Sequence, residues 1–164
     1  CPLHPDTPEQ GITLEELFSK KGIPVNVKKV VIQLKQTAQK LGLEFGERTM
    51  TYNSRLAQEL GLWAETQGAG HEFHMAAFRA YFVDGKNISD RDVLLDLAEQ
   101  CSLDREQAGR VLDERNFSDA VDSDWKLSAQ KGVNAVPTFF MGLDRLVGAQ
   151  SHEVMEKMVK RYTD

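Results

Sequence analysis

Cysteine is scarce: the 164 residues hold two, Cys1 and Cys101, a hundred positions apart. That excludes a disulfide-stapled scaffold, and no Cys-x-x-Cys pair or Cys/His cluster is present to hold zinc or run redox chemistry. Long apolar runs are missing as well. Nothing approaches the ~18 consecutive apolar residues of a membrane span, and no basic stretch followed by an apolar one marks a secretory leader. No membrane partner is expected, and the expected location is the cytoplasm. Positive charge is in deficit, with 20 Lys and Arg against 25 Asp and Glu, a net charge of −5 and a pI near 5.4. That balance argues against nucleic acid as a partner. No internal repeat, low-complexity tract or linker breaks the chain, so residues 1–164 read as one domain, long enough to bury roughly 70% of its extended surface.

What is present is mostly helical periodicity. Thr13-Leu-Glu-Glu16 has the spacing of a capping box, predicting a short helix that carries Leu14, Leu17 and Phe18 and stops at Gly22 and Pro24. Val27, Val30, Val31, Leu34, Ala38 and Leu41 recur at helical spacing and end at Gly42, predicting an amphipathic helix of about four turns. Asn53 or Ser54 caps a further helix with a Leu56, Leu60, Trp63 stripe; His71 to Phe82 predicts another, with Phe73, Ala77, Phe78, Tyr81 and Phe82 on its apolar side. Ser89 and Asp92 open the next, carrying Val93, Leu94, Leu97 and Ala98. Leu103 to Leu112, Ser118 to Lys131, and a Ser151-capped helix with Met155, Met158, Val159 and Tyr162 on one side complete the set.

Between the last two helices the pattern changes. Thr138 to Met141 is a short β-branched and aromatic run, Gly142 to Arg145 supplies turn residues, and Leu146 to Val147 returns antiparallel before Gly148 ends the strand. Pro137 opens the strand, where a missing amide donor is tolerated. This Val-Pro-Thr step, followed by strand, Gly turn, strand, Gly148-Ala149-Gln150 and a capped helix, resembles the cis-proline loop and final ββα unit of the thioredoxin superfamily in its DsbA-like branch. The segments Asn53–Gly68, His71–Asp90 and Val93–Asp104 resemble the helical insertion of the FrnE-like subgroup, and Pro2–Gly11 resembles the stretch after its second strand.

The resemblance implies an α/β, thioredoxin-like (DsbA-type) fold that is predominantly helical, with a helical insertion over about 13–115 and a C-terminal helix plus ββα unit over about 116–164. It implies a family activity of dithiol–disulfide exchange on a polypeptide or small thiol/disulfide substrate, with Val136, Pro137 and Thr138 as the substrate-binding residues. The Cys-x-x-Cys motif of that family follows its first strand, and by this resemblance the chain begins after the first strand, the motif, the first helix and most of the second strand. No catalytic residue, cofactor or metal is therefore expected here, and the chain alone is expected to be inactive. Two other readings stand beside it: a non-catalytic binding or scaffold fragment, and a relative of the glutathione-dependent isomerases and kappa-type transferases, which use serine in place of the first redox cysteine. The remaining sheet, little more than one hairpin, leaves an edge that invites a homo-oligomer.

Other chemistry has plainer explanations. Cys101 follows Leu97 and Ala98 on a helix and reads as a small core hydrophobe, while terminal Cys1 reads as mobile and exposed. His71 and His74 have a spacing that permits shared metal ligation, but no third ligand is supplied, and a helix start with a half-buried His74 accounts for them. Asp119, Asp122 and Asp124 suit the first turn of a helix through its dipole, as a solvated stripe. Trp63 and Trp125 read as core.

Overall fold

The computed structural model describes residues 4–22, 24 and 26–163, so the expectation for Cys1 lies outside the described residues. They form two compact units, His4–Val121 and the segment from Asp122 onward.

In the first unit, β1 (Ile12–Thr13) pairs antiparallel with β2 (Met50–Thr51). The capping box then starts α1 (Leu14–Lys20): the Glu16 amide donates to the Thr13 hydroxyl at 3.1 Å and the Thr13 amide donates back to the Glu16 carboxylate at 2.8 Å. That backbone donation holds the Glu16 carboxyl below the usual carboxylate range. α2 (Val27–Lys40) is capped by Asn26, whose side chain accepts from the Lys29 amide at 3.0 Å. Its stripe departs from expectation. Val27 and Ala38 are buried, but Leu34 and Leu41 are 47% and 68% exposed. The periodicity specifies an apolar face; the described residues cover only part of it.

The core is built by α3 (Arg55–Thr66), α4 (Gly70–Phe82), α5 (Arg91–Gln100) and α6 (Arg105–Glu114), which bury Leu60, Trp63, Phe73, Leu94, Leu97 and Leu112 in one cluster. Burying each such side chain is worth about 1.5–3 kcal/mol, which fixes the helices on one another. Asn53 starts α3 by accepting from the Arg55 amide at 2.9 Å, and its amide group donates to the Thr7 carbonyl at 2.8 Å, fastening the preceding loop. Two expectations need correction. α5 is capped by Asp90, which accepts from the Asp92 and Val93 amides, not by Ser89. The Ser89 hydroxyl is taken up by the Asn87 side chain at 2.6 Å and the Glu9 carbonyl, because its position precedes the turn that leaves orphan amides. Phe78, expected on the buried side of α4, is 57% exposed and stacks near Phe82 at 6.2 Å between ring centroids.

A carboxylate lies inside this core. Glu59 on α3 is wholly buried, and Arg115 clamps it through two donations, Nε to Oε2 at 2.7 Å and Nη2 to Oε1 at 2.6 Å. Arg55 adds a donation to Oε1 at 3.0 Å and also reaches the Ser118 hydroxyl at 2.9 Å. Arg115 is the C-cap of α6 in left-handed conformation, φ 54°, which turns its side chain back onto α3.

The second unit is smaller, the division falling within α7 (Ser118–Gln130). β3 (Thr138–Met141) and β4 (Asp144–Val147) pair antiparallel, Met141 opposite Asp144 and Thr138 opposite Val147. The return strand therefore begins at Asp144 and the turn is Gly142-Leu143 alone, tighter than the four turn residues expected, because Gly142 takes φ 54°. α8 (His152–Thr163) follows, its Val154 amide donating to Ser151 Oγ at 3.4 Å, and it buries Met158.

Candidate functional site: the Pro137 loop and its hairpin

The chain leaves α7 through Gly132, φ 64°, whose amide bonds the Ala129 carbonyl at 2.9 Å while Val133 reaches Ser128 at 3.0 Å, a glycine-terminated helix end. Asn134 to Pro137 then cross to β3, and the Val136–Pro137 peptide bond is cis. Local bonds fix the loop. Thr138 Oγ1 donates to the Ala135 carbonyl at 2.7 Å, Arg145 Nη1 donates to the Gly132 carbonyl at 3.3 Å, and the Gly148 amide donates to the Pro137 carbonyl at 2.8 Å.

That last bond sets the parity of the ladder. With Pro137 opposite Gly148 as a bonded pair, Phe139–Leu146 and Met141–Asp144 are bonded pairs too, and the backbone groups of Thr138 and Phe140 point away from β4. Among the described residues no third strand pairs with either edge. Val136 sits at the head of this open edge, 53% exposed, with its own amide and carbonyl making no hydrogen bond to the described residues. The three residues expected to bind substrate are thus brought together by continuity of the chain: an exposed apolar side chain with free main-chain groups, a proline, and a threonine whose hydroxyl is already engaged.

The hairpin is held from both sides. Lys131 Nζ stands 5.4 Å from the Phe140 ring centroid, Arg161 pairs with Asp144 at 2.9 Å, and Tyr162 accepts from the Leu143 amide at 3.1 Å. None of these contacts was foreseen from the sequence, since each joins residues at separations that no periodicity marks.

Among the described residues the only cysteine is Cys101. Cys101, at the C-cap of α5, is partly buried, and burial, with the Glu72 charge adding to it, pushes its thiol above the ordinary value. A helix C-terminus is also the wrong pole for stabilising a thiolate. His74 packs its imidazole against Gly61 of α3, where a Cβ would lie 2.8 Å from Nε2, so its half-buried place is a helix contact. Among the described residues, no three of His, Cys, Asp and Glu group as metal ligands, and no helix is long and apolar enough to cross a membrane. Trp63 is core, whereas Trp125 is only half-buried.

The protein YwbO of Bacillus subtilis is 32% identical over 125 residues, an alignment spanning 74% of this chain and 62% of YwbO. The ClpXP adapter protein SpxH of the same organism is 36% identical over 106 residues, spanning 58% of this chain and 35% of SpxH. The chain therefore spans less than two thirds of the curated relatives it matches. The crystal structure of a probable DsbA oxidoreductase from Streptomyces coelicolor superposes with a TM-score of 0.85 at 24% identity, over 97% of this chain and 71% of that one. The family of the DSBA-like thioredoxin domain matches residues 1–160, and the chain belongs to that family.

Proposed function

We propose that this chain is the substrate-holding part of a thiol–disulfide exchange protein, of the FrnE-like subgroup and cytoplasmic. The observation that carries the reading is the Val136–Thr138 loop: free main-chain groups at the head of an open strand edge, in a DSBA-like domain. An extended polypeptide lies along that edge and pairs with Val136, while Pro137 presents a surface that excludes rather than reacts. The attacking thiolate belongs to a Cys-x-x-Cys segment that these 164 residues do not contain. It displaces one sulfur of the substrate disulfide as a thiolate, the mixed disulfide is held across the loop, and the second cysteine resolves it.

On this reading the chain alone reduces insulin no faster than an equal concentration of free cysteine. Cys101→Ser leaves that background unchanged, and alkylation of Cys101 by iodoacetamide rises with pH only above the range of free cysteine, because its raised pKa keeps the thiol protonated. Turnover that Cys101→Ser abolishes would overturn the proposal.

A second reading is favoured by the likeness to SpxH, whose name makes it an adapter. An adapter binds its client stoichiometrically and without thiol chemistry, so binding indifferent to reductant, with no exchange activity when the family's thiols are supplied, would select it. Either way the open β3 edge, with Phe139 and Phe140 each over one third exposed on opposite faces, favours a homo-oligomer. Light scattering in reductant should give a mass above that of one chain that falls on tenfold dilution; a constant monomer mass with a cooperative melt would rule assembly out.

A further inference from the structure

α2 has 14 residues, and Val30, Val31 and Ile32 in succession lower its intrinsic helix propensity, so in water it is marginal without burial of its apolar side. Yet among the described residues only Val27 and Ala38 of that helix are buried. Between α1 and α2 lies a cleft of about 190 Å³, floored by Leu14, Leu17, Phe18, Val27, Val31 and Leu34. It adjoins a shallower hollow of about 370 Å³ that reaches Ile32. The border of the cleft carries cations and no carboxylate, while that of the hollow is mixed, with Glu15 and Glu47 on it and Glu47 3.7 Å from Lys35. Lys21 and Arg48 border the cleft, and Lys28 and Lys35 border the hollow. From Leu17 to Arg48 seven Lys and Arg stand against two Glu, in a chain whose net charge is −5. Arg48 is held in place over the Tyr81 and Phe82 rings, 4.6 and 5.3 Å from their centroids.

We propose that this cleft is a docking site for an acidic amphipathic helix of a different protein, its apolar residues entering between α1 and α2 and its carboxylates meeting the basic rim. Three features select that occupant. A second copy laid through the same face would set lysines against lysines. Of the acidic helices of a second copy, α5 and α6 expose no large apolar residue to enter the cleft, and α7 exposes a single one, Leu127, too few for anchors one turn apart. A membrane surface accepts a convex apolar face carrying aromatic anchors, whereas this one is concave and Glu15 and Glu47 lie on its border. Helix-in-groove recognition reads apolar anchors one turn apart, which matches a cleft running between two helices. The site lies in the His4–Val121 unit and is independent of the Pro137 loop, so its failure leaves the proposed exchange function standing.

The probe is a fluorescein-labelled designed helix of about 18 residues with leucines on one face and glutamates flanking them, and a twin carrying lysine in place of every glutamate. Fluorescence anisotropy with the full chain should show saturable binding of the acidic helix alone. Leu34→Asp, at a half-exposed position, should weaken it by about tenfold or more. The double variant Lys28→Glu, Lys35→Glu should weaken the acidic helix by a similar factor and bring in the lysine twin, a swap that a merely unfolded variant cannot produce; circular dichroism confirms that α2 is retained. Equal binding of both helices, or binding indifferent to these variants, would overturn the proposal. So would Leu34-dependent co-sedimentation with phosphatidylglycerol vesicles in the absence of peptide binding, or a self-association that Leu34→Asp abolishes, since these place a membrane or a second copy on the face.

Discussion

Arg115→Ala should destabilise the His4–Val121 unit by about 3 kcal/mol, near the lower end of what breaking a buried pair costs. The reason is asymmetry of exposure. Glu59 is wholly buried while the Arg115 side chain is 45% exposed, so removing the arginine strands a carboxylate in the core with Arg55 as its remaining close cation, whereas removing Glu59 leaves two guanidiniums that water can reach. The triple exchange Arg55→Met, Glu59→Leu, Arg115→Met should cost less than the single one, because no charge is left uncompensated. Arg115 also sits at φ 54°, so Arg115→Gly should retain about 1 kcal/mol more than Arg115→Ala. Urea titrations followed by circular dichroism give all three numbers. An unshifted midpoint for Arg115→Ala would show that Arg55 alone suffices.

Gly142→Val should loosen the second unit by about 2–3 kcal/mol, from two separable causes. The first is backbone: φ 54° in a two-residue turn costs a β-branched residue about 1–2 kcal/mol. The second is space. A Cβ at this position would lie 2.1 Å from Cε1 of Tyr162, so the ring must swing away and give up the bond from the Leu143 amide, worth about 1 kcal/mol. Tyr162→Leu alone removes only the second part, and combining it with Gly142→Val should add little beyond the backbone cost. Hydrogen exchange at the Phe139 and Leu146 amides, which pair across the ladder, reads the loosening directly. Protection unchanged from the native chain would refute it.

These contacts mark the limit of what the sequence discloses. Helices were legible because their signals are local: a capping box at Thr13, an apolar residue every third or fourth position, glycine at the ends. The hairpin was legible because Thr138 to Met141 and the turn after it are contiguous, although the bond from the Leu143 amide that braces the turn ends on Tyr162, nineteen residues on. β1 and β2 escaped notice because two residues carry no alternation to count. Asp90 outcompeted Ser89 because the choice of cap rests on which residue precedes the first helical turn by one, a matter of a single position. Arg55 and Glu59 have helical i, i+4 spacing, but nothing in the sequence announces that Arg115 turns left-handed to complete their clamp. The loop at Val136 was found from the order of elements, while the state of its main-chain groups required the ladder parity that Gly148 sets.

The basic rim beside α2 makes the pI of 5.4 a poor guide to how the molecule meets others. Seven of the 20 positive residues fall between Leu17 and Arg48, leaving thirteen against twenty-three acidic residues elsewhere. Such a chain carries a local excess of positive charge within an anionic whole. At physiological ionic strength the field of exposed charges fades within about 8 Å, so the average charge governs repulsion between distant molecules and the local patch governs the last step of approach. Two surfaces of opposite preference can therefore coexist on one chain, and added salt weakens the attraction of each for its oppositely charged partner.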